Sequence, residues 1–258
     1  NISPLVAVFP DAIGENGAVT SSSKHASQIG IDVLKNGGNA IDAAIAVGFA
    51  LSVTFPNAGN LGGGGFMVIR TSSGEVRTID FREVAPENAF RDMYLDENGD
   101  VISGMSLYTA HASGVPGTVA GFEYAHERFG TKSWNYLLRP SIQLATNGFE
   151  LSFRDAMYLN ASRSFFRRDE ESAKIFAAQD NYSVGDLFIQ KDLAKTLRRI
   201  SIGGADEFYK GVTSDMIVQC MKRTGGIITK ADLANYKPIE RDPITFKYRD
   251  YTFYSMPP

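Results

Sequence analysis

The sequence is poor in the residues that metal and redox sites need. Its 258 residues include one cysteine, Cys220, and three histidines, His25, His111 and His126. A single cysteine excludes an internal disulfide and any zinc site built on several thiolates. No two histidines stand four apart, so the helical spacing of a two-histidine metal site is missing. An excess of positive charge is lacking too: 26 Lys and Arg stand against 29 Asp and Glu, for a net charge of −3. With no Lys/Arg-rich face, the electrostatic footprint of a nucleic-acid binder is absent. The basic residues within 191–199 read as the wet side of a helix, with Leu193, Leu197 and Ile200 on its inner side. No apolar run reaches the ~18–20 residues that a transmembrane helix requires. The longest, 40–53, is interrupted by Asp42 and Gly48. The chain starts Asn1-Ile2-Ser3, without an initiator Met or a signal-type apolar segment, and a trimmed N-terminus is the expectation. It stops at Pro257-Pro258, directly after a strand-like run, which reads as a cut rather than a natural domain end.

What is present is an ordinary globular balance, 43% apolar and 21% charged, with enough apolar side chain for a sizeable core. Ala26, Ile29, Val33 and Leu34 fall at helical spacing after Ser23, and Gly37-Gly38 closes that run. Asn39 can cap a second helix with Asp42 in its first turn. That helix is apolar nearly all round through Val53, so it is predicted to lie between layers. After Pro56 and a glycine-rich turn, 66–69 is predicted to be a strand buried on both faces. Ser72-Ser73-Gly74 turns it back into a strand over 75–81, with Ile79 and Phe81 on one face and Asp80 and Arg82 on the other. Helices are predicted around 119–129, 140–147, 192–200 and 214–223, and a last hairpin turns at Arg249-Asp250. The pattern is α+β, helices with a few antiparallel strands.

Two features invite chemistry. Gly62 to Gly65 suggest a phosphate loop, but a helix precedes them and a strand follows, the reverse of the order that aims a helix N-terminus at an anion. No G-K-[ST] occurs. The glycines therefore mark either a structural turn or a place where a ligand approaches the backbone. Arg82 carries the fork that matches a carboxylate bidentately. It lies between Asp80 and Glu83, so an internal ion pair is the competing reading. A Ser-His-Asp arrangement stays open, although no G-x-S-x-G elbow is present. His126 reads as a satisfied core histidine and Cys220 as a buried, inert thiol.

Asn57-Ala58-Gly59-Asn60-Leu61-Gly62-Gly63-Gly64-Gly65-Phe66-Met67 and Asp80-Phe81-Arg82-Glu83-Val84-Ala85-Pro86 resemble the γ-glutamyltranspeptidases. The likeness extends upstream to 33–44 and downstream to 113–122, to Leu233-Ala234-Asn235-Tyr236 and to Met256-Pro257-Pro258, all in the family's order. The resemblance implies an N-terminal nucleophile hydrolase, an αββα four-layer sandwich, of which 1–258 would be a single-domain, incomplete large-subunit part. It implies a precursor that cleaves itself, and a small catalytic subunit whose N-terminal Thr attacks the γ-glutamyl amide with its own α-amino group as base. The acyl-enzyme then goes to water or to an amino acid or peptide, with no cofactor. The resemblance places no catalytic residue in this chain. It makes Arg82 the holder of the substrate's α-carboxylate, with Glu83 positioning it. Glutaryl-cephalosporin acylase, poly-γ-glutamate depolymerase and a non-catalytic homologue are the alternatives. A periplasmic or secreted location is implied by the family's bacterial members.

Overall fold

The computed structural model describes residues 13–258. Helix α1 (Lys24–Lys35) is capped by the Ser23 hydroxyl, and α2 (Ala40–Thr54) by a capping box. In that box the Asn39 side chain accepts from the Ile41 and Asp42 amides, both at 2.9 Å, while Asp42 accepts from the Asn39 amide at 2.9 Å. The start of the second helix is thus where the sequence placed it. Strands β1 (Phe66–Arg70) and β2 (Val76–Asp80) form the expected hairpin. A short α3 (Met105–Tyr108) and a 3-10 turn at Ala110–Ala112 lead to α4 (Thr118–Phe129) and α5 (Trp134–Asn147).

A two-residue ribbon, β3 (Phe149–Glu150) with β4 (Leu187–Phe188), brackets α6 (Phe153–Phe166) and α7 (Glu170–Phe176). Then follow α8 (Lys191–Lys210), α9 (Val212–Thr224) and α10 (Lys230–Asn235). The last elements are β5 (Ile239–Arg241), β6 (Ile244–Tyr248) and β7 (Tyr251–Ser255).

The architecture is α+β. An antiparallel sheet of order β1-β2-β5 packs one face on the helices, while among the described residues β6 and β7 pair only with each other. The core is centred on α2. Phe49 is fully buried, edge-on to Phe122 of α4 (5.2 Å) and Trp134 of α5 (5.3 Å). Burial of such a ring stabilises by about 1.5–3 kcal/mol. Leu137, Leu138, Leu197 and Ile200 continue this core across α5 and α8, with Ile79 from the sheet. Gly48 leaves room for Phe122: a Cβ there would lie 2.3 Å from the ring.

Several sequence expectations need correction. Helix α5 begins at Trp134, six residues before the predicted start at Pro140. An interior proline costs ~3 kcal/mol. That cost is offset by full burial of Leu137 and Leu138 and by the Trp134 indole N–H, which donates to the Ile200 carbonyl at 3.0 Å. Helix α8 runs past Ile200 to Lys210, broken at Gly204 (φ 65°), where the Glu123 carboxylate accepts the Ala205 amide at 2.7 Å.

Helices α6 and α10 were not anticipated, yet Ser152/Asp155 and Thr229/Asp232 are capping boxes visible as S-x-x-D and T-x-x-D. Strand β1 is not buried on both faces: Phe66 and Val68 are each 46% exposed. Among the described residues, helices cover only one side of this strand, so its apolar run has one face without a cover there.

Candidate functional site

The glycine turn is shaped by contacts with the chain's own backbone. The Gly63 carbonyl accepts from the amides of Gly117 (2.8 Å) and Thr118 (3.0 Å), at the start of α4. Gly65 and Phe81 exchange both backbone hydrogen bonds, extending the β1–β2 ladder. A Cβ on Gly64 would lie 2.4 Å from the Phe81 carbonyl oxygen and 2.8 Å from the Arg82 Cα. None of Gly62 to Gly65 has positive φ. The structural-turn reading therefore holds, and the requirement is close approach rather than a left-handed conformation. The same crowding recurs at Gly117, where a Cβ would meet the Phe81 oxygen at 2.0 Å and the Tyr236 hydroxyl at 2.2 Å. Val84 and Val115 exchange backbone bonds of 3.3 and 2.8 Å beside it.

These stretches hold the backbone of Arg82. Its amide donates to Asp80 Oδ1 at 3.1 Å, and its carbonyl accepts from the Tyr236 hydroxyl at 2.8 Å. The competing ion pair does not form. Asp80 Oδ2 is taken by Arg241 Nε at 2.9 Å, and among the described residues no acid pairs with the Arg82 guanidinium. Glu83 is exposed and makes no hydrogen bond to Arg82 among the described residues. The guanidinium instead lies over the Phe66 ring, 5.8 Å from its centroid, a weak contact at an exposed site.

The pairing Phe66↔Asp80↔Ile239 puts these residues on one face, with Val68, Thr78 and Arg241. Phe66, Val68 and Ile239 are exposed there beside the polar Asp80 and Arg241, so Arg82 projects beside a mixed sheet face with exposed apolar side chains. A cleft of about 490 Å³ between α1 and α5, lined by His25, Asp32, Tyr136 and Arg139, does not include it.

Sequence reasoning singled out Arg82 but gave Tyr236 and Tyr209 no role. Tyr236 stacks on Tyr209 (5.7 Å, 8° between planes), and the Tyr209 hydroxyl donates to the Pro116 carbonyl at 2.8 Å. Burial, reinforced by the negative charges of Asp80 and Glu83, pushes the Tyr236 hydroxyl well above its ordinary pKa, so it stays a donor. The signal for Tyr236 was its place in Leu233-Ala234-Asn235-Tyr236, which has no catalytic chemistry of its own.

His126 is satisfied as expected, through a 2.7 Å contact between Nε2 and the Lys132 carbonyl. Cys220 is only half-buried, with Arg223 Nη2 3.8 Å from its sulfur. Helix α9 turns only Thr213 and Ser214 fully inward, which leaves the thiol at its margin. Among the described residues no cluster of His, Cys, Asp and Glu could hold a metal ion, and no helix is long and apolar enough to cross a membrane.

A sequence model of the gamma-glutamyltranspeptidases matches residues 26–258. The chain belongs to this family. It is 47% identical over 253 residues to the glutathione hydrolase proenzyme of Escherichia coli (strain K12), covering 97% of this chain and 44% of that protein. The chain thus spans less than half the length of the curated relatives it matches. The crystal structure of Helicobacter pylori gamma-glutamyltranspeptidase superposes with a TM-score of 0.94 at 47% identity, over 96% of this chain and 72% of that one. The structure of a cephalosporin acylase from Bacillus halodurans superposes at 0.85 with 28% identity, over 100% of this chain and 50% of that one. The α+β fold expected for this part of a gamma-glutamyltranspeptidase is thereby shown.

Proposed function

We propose that this chain is the larger, substrate-holding part of a γ-glutamyltransferase and glutathione hydrolase. Arg82 would hold the α-carboxylate of the γ-glutamyl group. One observation carries this reading: both backbone polar groups of Arg82 are held by side chains, while its guanidinium has no acidic partner among the described residues. A fork with a held base and an unpaired head is arranged for a carboxylate that arrives from outside. Glu83 stands next to it in the motif as a weaker candidate for positioning it.

The nucleophile is assigned to a second, small chain cut from the same precursor, as the resemblance implies. The open sheet face supports a partner of that kind: Phe66, Val68 and Ile239, together with Phe246 and Phe253 of the hairpin, are all at least 42% exposed. Large exposed apolar side chains gathered into a patch ordinarily mark an interface. The relatives' names as proenzymes agree with such processing. Export to the periplasm or medium is proposed with it, and fractionation of the producing cells checks that.

The test uses the protein expressed from its full gene. A second chain beginning with Thr, with turnover of γ-glutamyl-4-nitroanilide, is expected; a processed protein without turnover would overturn the reading. The likeness to the cephalosporin acylase supports a second reading, an acylase for glutaryl groups. Glutaryl keeps the terminal carboxylate and lacks the amine, so faster turnover of glutaryl-4-nitroanilide would favour that reading.

A further inference from the structure

Arg82 lies two residues past Asp80, the last residue of β2, and its local backbone belongs to no ladder bond of that strand. Two side chains fix it instead. The Asp80 carboxylate accepts its amide and the Tyr236 hydroxyl donates to its carbonyl. Asp80 is itself anchored by Arg241. Tyr236 is anchored by stacking on Tyr209, which is 5% exposed and tied by its own hydroxyl to the Pro116 carbonyl. The Tyr209 oxygen also receives the Ala120 amide at 3.3 Å, so it stands on the first turn of α4. The Tyr236 hydroxyl fits beside Gly117 only because that residue has no Cβ. An aromatic relay therefore runs from the body of the fold to the carbonyl of Arg82.

We propose that Tyr236 is a positioning residue for carboxylate recognition. Its hydroxyl, held by Tyr209, fixes the Arg82 carbonyl and so sets the direction in which the guanidinium leaves the sheet. The inference rests on the reading of Arg82 as the carboxylate holder and adds the residue that aims it. A side chain held within about 0.5 Å of its productive position depends on such supporting contacts. Losing the hydroxyl leaves Arg82 chemically intact but free to wander.

The test compares two donors in the complete, processed enzyme. γ-Glutamyl-4-nitroanilide carries the α-carboxylate; 4-aminobutyryl-4-nitroanilide keeps the amine and lacks the carboxylate. The readout is the ratio of their kcat/KM values. Tyr236→Phe removes only the hydroxyl. It is expected to lower the ratio about five-fold, as loss of one hydrogen bond implies, through a higher KM for the γ-glutamyl donor. The 4-aminobutyryl rate should stay unchanged. In an Arg82→Lys background the same substitution should have no further effect on the ratio, because the group it aims has gone.

Equal losses on both donors, or an additive effect in the Arg82→Lys background, would overturn the proposal by showing a structural role alone. If Arg82→Lys lowers the ratio and Tyr236→Phe leaves it unchanged, the clamp stands and the aiming role falls. If Arg82→Lys itself leaves the ratio unchanged, the clamp reading fails and the aiming role fails with it.

Discussion

Two charged residues in this chain are treated in opposite ways. Asp42, at the start of α2, is fully buried and fully satisfied. Its carboxylate accepts from the amides of Asn39 (2.9 Å), Thr131 (2.9 Å) and Lys132 (3.2 Å) and from the Thr131 hydroxyl (2.5 Å). It joins the capping box to the connection between α4 and α5. Arg82 has its backbone held and its charge left in the open. Within α2 the Asp42, Ser52 and Thr54 side chains each have a hydrogen-bond partner, and the helix reads as stability. Around β1 and β2 the sheet keeps exposed apolar side chains and a cation without an acidic partner among the described residues, and the region reads as something to be completed. Burial with saturation marks a structural charge; exposure with a fixed base marks one kept for a ligand.

Substitutions can break this contrast. The largest effect is expected from Arg82→Ala in the complete enzyme. Loss of a charge-assisted bidentate contact of about 3 kcal/mol lowers kcat/KM for a γ-glutamyl donor on the order of 100-fold. Stability should move by less than about 0.5 kcal/mol, since the side chain is exposed. Steady-state kinetics beside a thermal melt checks both, and a large loss of stability would erase the distinction from Asp42. The mirror case is Asp42→Ala, expected to cost about 3 kcal/mol of stability because it strands buried donors. Activity per folded molecule should be preserved, as denaturant unfolding and an activity titration would show.

Gly64→Ala should fall between, costing about 1–3 kcal/mol from overpacking against the Phe81 oxygen and the Arg82 Cα. Because it pushes on the backbone of Arg82, it should also raise KM, which Asp42→Ala should not.

The acid limb of stability sharpens the contrast further. Burial pushes the Asp42 carboxyl up, but the Thr131 hydroxyl and the amides of Asn39, Thr131 and Lys132 together hold it below its ordinary value. An unfolded Asp titrates near ~4. The stabilisation is therefore complete above that pH and is lost as the pH falls through the lower folded-state value. Asp42→Asn should flatten the fall in melting temperature below about pH 4; an unchanged acid limb would assign it to other carboxylates. The smallest effect is expected from Phe66→Ser. In this chain alone it should change stability by less than about 0.5 kcal/mol, since the ring is half-exposed. In the processed enzyme a larger loss is the sign of a covered face.

Much of the local structure was legible because its causes are local. The cap at Asn39, the turn at Ser72-Ser73-Gly74 and the hairpin turn at Arg249-Asp250, where Arg249 takes φ 52°, each follow from a few neighbouring residues. The capping boxes at Ser152 and Thr229 were equally local and went unread. The start of α5 was not legible, because distant burial of Leu137 and Leu138 decides it against the proline.

At the candidate site, the sequence by itself determined that Arg82 stands beside acids and a glycine run, and its motif identified the family. It left open whether Arg82 spends its charge on Asp80. Only the tertiary structure decided that. β5 brings Arg241 to Asp80 from 161 positions away, and α10 brings Tyr236 to the Arg82 carbonyl from 154 positions away. Adjacent residues in a sequence compete for one another's charges, and the outcome depends on which stronger or better-placed partner the fold delivers. Here it delivered one to Asp80, and the Arg82 guanidinium kept no acidic partner among the described residues.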